Sequence, residues 1–172
     1  MENRINRPHY RYAIFDLDGT LDNQMPHYTR AFVSACEENG LPKNGLAEGY
    51  ANTAGTPLHQ QFLNVLGKNG TPSTVESAVT RFWQLVDKNE MPNLFPGARE
   101  LLRNLYAQGK NLYITTGTET NRAQRRLREM DLKQYFTLIL GQGEGLEKGP
   151  QHLQYMKEQT GDVEFFSRAF YV

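Results

Sequence analysis

The chain has 172 residues, enough for one domain or for a small core carrying an inserted lobe. Hydrophobic residues make up 38% and charged ones 22%, with 19 basic side chains against 19 acidic ones; this is a soluble globular composition with no general attraction for nucleic acid or anionic membrane. The single Cys36 excludes an internal disulfide, and no stretch reaches the roughly 20 apolar residues of a membrane span.

Residues 1–9 read as a loose polar lead-in without the apolar run of a signal peptide, which together with the lone cysteine points to a cytoplasmic protein. Tyr10 to Phe15 predict a first strand, and it ends on Asp16-Leu17-Asp18-Gly19-Thr20-Leu21. Residues i and i+2 of a strand share a face, so Asp16 and Asp18 would project together if the strand ran on, and Gly19 marks a turn. Two carboxylates at the end of a buried strand repel and are costly to desolvate; a hard cation relieves this, and oxygen ligands suit Mg²⁺. An Asp-x-Asp-Gly tetrad alone is often just a turn. Here a strand core precedes it, and Thr20-Leu21 continue the pattern instead of opening a polar loop.

From Pro26 to about Pro92 the pattern is helical. Tyr28, Ala31, Phe32, Ala35 and Cys36 form one stripe, with Gly40 as a stop; Leu58, Phe62, Val65 and Leu66 form a second, ended by Gly67. Ser73 and Glu76 have capping-box spacing ahead of the longest stripe, Val75, Ala78, Val79, Phe82, Leu85 and Val86. The segment from Gly40 to Pro57 shows no period that places it. Pro96-Gly97 then predicts a turn before a helix over Ala98, Leu101, Leu102 and Leu105, stopped near Gly109. Asn111 to Thr115 reads as the second core strand, followed by Thr116-Gly117-Thr118 and a helix bearing Ala123, Leu127 and Met130. Phe136 to Leu140 is a third strand leading into the glycine-rich loop 141–145. Pro150 suits the first position of a helix with Leu153 and Met156 inward, and Phe165 to Val172 reads as a fourth strand. Strand and helix alternate after the helical stretch, which argues for a parallel α/β sheet.

The stretch around Asp16 and Asp18 closely resembles the first motif of the haloacid dehalogenase-like (HAD) phosphohydrolases, in the phosphoglycolate phosphatase and beta-phosphoglucomutase-like branch with a helical cap. The resemblance implies a Rossmann-like α/β core over residues 1–24 and 92–172, and an inserted all-helical cap over 25–91 that closes on the active site. It implies Asp16 as the phosphoryl-accepting nucleophile and Asp18 as the general acid/base, both assigned to the Mg²⁺ site. Thr116-Gly117 resembles the second motif, a phosphate pocket of hydroxyl and backbone N–H; Thr115 competes, and the register to Leu127 and Leu132 favours Thr116. Lys148 stands where the third motif falls, although the family has Lys-Pro and this chain has Lys-Gly-Pro. Its implied role is to neutralise Asp16 and the transferring phosphoryl group.

The fourth motif, an acidic pair that completes the metal site, is expected after Arg168 to Val172 and is not found. Gly161-Asp162 lacks an apolar strand before it and reads as a polar turn. The expectation is a chain that ends short of that motif, either a truncated form of a longer protein or a variant with altered metal binding, with a fourth strand whose hydrophobic edge invites association. Arg122, Arg125, Arg126 and Arg128 read as a solvated helix face.

Together these imply a Mg²⁺-dependent phosphohydrolase acting on a small phosphorylated metabolite through an aspartyl-phosphate, with no nucleic acid or membrane partner. A phosphomutase would share every motif, and without the fourth motif an inactive phosphate-binding protein is the other alternative. A dehalogenase is disfavoured, because halide displacement needs no acid such as Asp18.

Overall fold

A computed structural model describes residues 9–40, 44–89, 93–143 and 145–172. The lead-in over 1–8, Pro92 and Glu144 of the glycine-rich loop lie outside the described residues. The chain divides into two units, one running to Asp22 and resuming at Leu94, the other Asn23–Asn93.

The first unit is built on a four-stranded, all-parallel sheet of β1 (Tyr12–Phe15), β2 (Asn111–Glu119), β3 (Phe136–Gln142) and β4 (Ala169–Tyr171), in the order β3-β2-β1-β4. β1 is short and wholly apolar because it is central and covered on both faces. Ala13 and Phe15 pack with Leu112 and Ile114 against α5 (Ala98–Ala107) and α6 (Thr120–Glu129). Tyr12 and Ile14 point the other way and join Tyr113, Leu140, Met156 of α7 (Pro150–Thr160) and Phe165. The period of 2 in β1 thus supplies two cores, one on each face. The chain winds outward from β1 to β3 and then returns to the far side of β1. That reversal puts a topological switch point at the carboxyl end of β1, where open α/β sheets bind ligands.

Several core elements differ from expectation: β1 starts at Tyr12 instead of Tyr10, and β3 runs on to Gln142 instead of ending at Leu140. β2 runs to Glu119 instead of ending at Thr115, because after a register shift between Thr115 and Glu119 it pairs again with β3 through Glu119 and Gln142. Thr116-Gly117 is therefore strand, not the start of a helix, and Glu119 is the N-cap of α6. Phe165–Arg168 is a 3-10 turn closed on the Glu164 carbonyl by the amides of Ser167 and Arg168, so the strand starts only at Ala169.

Among its described residues the second unit holds four α-helices: α1 (Met25–Glu38), α2 (Leu46–Asn52), α3 (Leu58–Leu66) and α4 (Pro72–Asn89). Their stripes meet in a core around Phe32, Phe62 and Phe82, with Phe32 and Phe62 stacked at 4.3 Å. Cys36 lies in this core, and burial, with Glu37 beside it, pushes its thiol up to about 12. α2 is the element that periodicity could not place. Two turns bury only Leu46 and Tyr50, and Gly49 lets α3 approach, since a Cβ there would stand 3.2 Å from Val65 Cγ2. The capping box of α4 is also shifted. Thr71 and Thr74, not Ser73 and Glu76, exchange reciprocal bonds between hydroxyl and backbone N–H, at 3.0 and 3.2 Å. Pro72 follows Thr71 as the first helical residue, which moves the start ahead of Ser73. Among the described residues no helix is long and apolar enough to cross a membrane.

Candidate active site

The site lies wholly within the sheet unit, at the carboxyl ends of β1 and β2. Asp16 follows β1 directly. Its backbone N–H donates to the Val172 carbonyl at 3.1 Å, and its Oδ1 accepts from the Leu17 N–H at 2.8 Å. These bonds fix the carboxylate at the strand end. Lys148 Nζ reaches Asp16 Oδ2 at 2.7 Å, with both side chains partly exposed. The extra Gly149 does not remove Lys148 from the site. Gly149 takes φ 113°, ψ −134° as N-cap of α7, Pro150 begins the helix, and Lys148 stands just outside it.

After Asp16 the chain folds into a tight turn: the Asp22 N–H donates to the Leu17 carbonyl, and the Gly19 N–H to that of Asp22. The turn carries Asp18 towards β2. Asp18 Oδ2 accepts from Thr118 Oγ1 at 2.7 Å and Thr116 Oγ1 at 3.0 Å, and Oδ1 from Arg126 Nη1 at 2.7 Å. Burial alone would push the Asp18 carboxyl up. The Arg126 charge and hydrogen bond, with those of Thr118 and Thr116, outweigh it and hold the group below the usual carboxylate value.

Strand alternation separates the two threonines that competed on sequence. Thr116 faces Asp18, whereas Thr115 points to the opposite face, where its Oγ1 lies 2.8 Å from His152 Nδ1 of α7. Gly117 is exposed beside Thr116, and the Thr118 N–H donates to Thr116 Oγ1 at 3.1 Å. Asp162 is far from this cluster along β1. It accepts from the Tyr12 hydroxyl at 2.8 Å, at the amino end of that strand, and caps the turn that follows α7.

Arg126 overturns its reading as part of a solvated face. It is 2% exposed and bridges two carboxylates, Asp18 through Nη1 and Asp22 through Nη2, and Asp22 is itself fully buried. Arg125, by contrast, is exposed and lies 3.7 Å from Glu129. The available signal was helical phase: Arg126 shares a face with Ala123, Leu127 and Met130, all buried. His152 is a second residue that sequence reasoning missed. It is fully buried next to Met156 and Leu153 on the inward side of α7.

Burial pushes the His152 imidazole down from its ordinary value; the nearby backbone at Gly141 and Leu146 works against this, and the Lys148 charge adds to the lowering. Below its unfolded pKa, about 6.5, the unfolded chain takes up a proton that the folded ring refuses. Stability is therefore complete above about pH 6.5 and is lost as pH falls from there towards the folded pKa. His152→Gln is expected to reduce the loss of unfolding free energy between pH 7 and 5 by up to about 1.4 kcal/mol per pH unit, measured by urea titration. An unchanged slope would contradict the assignment.

A sequence-family model, described as haloacid dehalogenase-like hydrolase, matches residues 13–161. The probable phosphatase IndB of Dickeya dadantii is 30% identical over 133 residues, covering 75% of this chain and 57% of the relative. Phosphoglycolate phosphatase of Pseudomonas syringae is 29% identical over 136 residues, covering 76% of this chain and 50% of that protein. The chain thus spans between half and three fifths of the length of these relatives. The solved structure of a haloacid dehalogenase-like family hydrolase from Streptococcus pneumoniae superposes with a TM-score of 0.79 at 22% identity, covering 95% of this chain and 75% of that one, which establishes the shared fold. The sheet order, the acidic pair ending its central strand and the match over residues 13–161 place this chain in the haloacid dehalogenase-like hydrolase family.

Proposed function

We propose that the chain hydrolyses a small phosphomonoester by transferring its phosphoryl group to Asp16 and then to water. One observation carries this reading. A lysine-paired carboxylate at the end of β1 shares a site with a second carboxylate that receives hydrogen bonds from the hydroxyls of β2. The phosphatase names borne by IndB and by the Pseudomonas syringae relative support the reaction class and a small phosphorylated substrate.

In the first step an Asp16 oxygen attacks phosphorus in line, the bond to the leaving oxygen breaks, and that oxygen takes a proton from Asp18. Asp18 rests as a carboxylate. An anionic phosphoryl group entering beside it favours uptake of a proton from solvent, which readies Asp18 as the acid. In the second step water attacks the aspartyl-phosphate, gives a proton to Asp18, and frees phosphate and Asp16. Lys148 and the backbone at Gly117 hold the phosphoryl oxygens as charge moves between them, joined by the Thr116 hydroxyl once it turns from Asp18 Oδ2.

HAD phosphatases generally use a divalent metal, and we assign Mg²⁺ to Asp16, a partly exposed oxygen donor of the kind that ion takes. Among the described residues no group of three or more His, Cys, Asp or Glu converges to hold a metal. The Asp18 side chain is not retained as a ligand, because its oxygens are committed to a buried guanidinium and two hydroxyls. Bound at Asp16, Mg²⁺ would screen the nucleophile from the anionic substrate.

The test is phosphate release from a panel of small phosphomonoesters with Mg²⁺ or with chelator. Release from at least one compound, lost with chelator, is expected. No release from folded protein, with binding of inorganic phosphate retained, would replace this reading with that of a phosphate-binding protein.

A further inference from the structure

We propose that Arg126 is a positioning residue for the reaction: oriented by Asp22, its guanidinium fixes the Asp18 carboxylate against Thr116 and Thr118, and so sets where Asp18 exchanges its proton. The inference rests on the hydrolase reading above.

Arg126 sits on the apolar face of α6, where a charge is costly to desolvate and persists only when paired. Replacing a buried ion pair by packed apolar side chains is often neutral or stabilising, so fold stability alone does not call for an arginine here. The geometry gives it a different use. Arg126 holds Asp18 Oδ1 while the two β2 hydroxyls hold Oδ2, so the carboxylate is gripped from both sides and its plane is fixed. The planar fork takes Asp18 with one nitrogen and Asp22 with the other. Asp22 is buried at the close of the turn that begins at Leu17, so the same turn that presents Asp18 also presents the group that aims Arg126. Lysine, a single point charge, cannot serve both carboxylates in this way.

Arg126 acts through Asp18, so its loss should lower kcat and spare KM. The experiment measures kcat and KM of Arg126→Gln, Arg126→Lys and Asp22→Asn on the panel phosphomonoester that the wild type hydrolyses fastest. Arg126→Gln is expected to lower kcat on the order of a hundredfold with KM within about twofold. Arg126→Lys should recover part of the loss. Asp22→Asn, which leaves Asp18 and Arg126 as a balanced pair, should lower kcat less, and combined with Arg126→Gln it should add nothing further. If Arg126→Gln does not fold, Arg126→Lys and Asp22→Asn decide. Wild-type kinetics in either of these, or a raised KM with unchanged kcat, would overturn the inference. Crystal structures of wild type and Arg126→Lys read the positioning without turnover. Asp18 released from Thr116 and Thr118 is the expected result; an unmoved Asp18 would overturn the proposal. A wild type that hydrolyses nothing would sink the hydrolase reading, and the same structures would still decide the role of Arg126.

Discussion

Replacing Asp16 by Asn is expected to abolish phosphate release, with a fall in kcat on the order of 10⁵-fold, the scale seen when a covalent nucleophile is removed. The substitution keeps the size of the side chain and the oxygen that accepts from the Leu17 N–H. It removes the charge that attacks phosphorus and that pairs with Lys148. The pair is partly exposed, and such pairs contribute about 1 kcal/mol or less, so the variant should fold with nearly wild-type stability. Phosphate-release assays beside urea titration check both halves. Substantial turnover by the variant would rule out Asp16 as nucleophile, whereas a collapse in stability would show that the pair does structural work.

Gly141→Ala is expected to cost about 3 kcal/mol or more and to take activity with it. A Cβ at Gly141 would stand 2.2 Å from the Thr118 carbonyl oxygen and 2.6 Å from the Thr120 amide nitrogen. Both are backbone atoms in the segment that carries Thr116 and Thr118 to Asp18, so no flexible side chain can yield. The clash must be relieved by moving β3 from β2, at the point where Gly141 N–H also donates to Thr120 Oγ1 at 3.1 Å. Gly117→Ala provides the contrast. Nothing lies within 4 Å of a Cβ there, and Gly117 is not among the positive-φ glycines, so its stability should change by less than about 0.5 kcal/mol. Equal stability of the two variants in urea would contradict this account of the β2–β3 contact.

What the sequence disclosed, and what it hid, follows from the physics of each residue. Asp16 and Asp18 were readable because two carboxylates at the end of an apolar strand have few structural reasons to be there, whereas Thr116 and Lys148 were marked only by their resemblance to the second and third family motifs. The structure brings Asp16 to Lys148 and Asp18 to Thr116. Arg126 was hidden by its own chemistry, since an arginine on an arginine-rich helix is normally solvated; only its phase with Ala123 and Leu127 marks it as inward. His152 was hidden in the same way, as one polar residue on the buried side of α7. The extension of β2 to Glu119 depends on re-pairing with Gln142 across a register shift, a tertiary event that no local pattern records. α2 was missed because seven residues are too short for a helical period to declare itself.

The central claim is that Asp16 carries the phosphoryl group. The direct measurement is acid quenching of the protein during turnover of its best phosphomonoester, followed by mass spectrometry of its peptides. The account predicts one phosphoryl group on the peptide containing Asp16, labile to mild base and absent from Asp16→Asn. Full turnover with no phosphoryl group on that peptide, or a label persisting in Asp16→Asn, would contradict it.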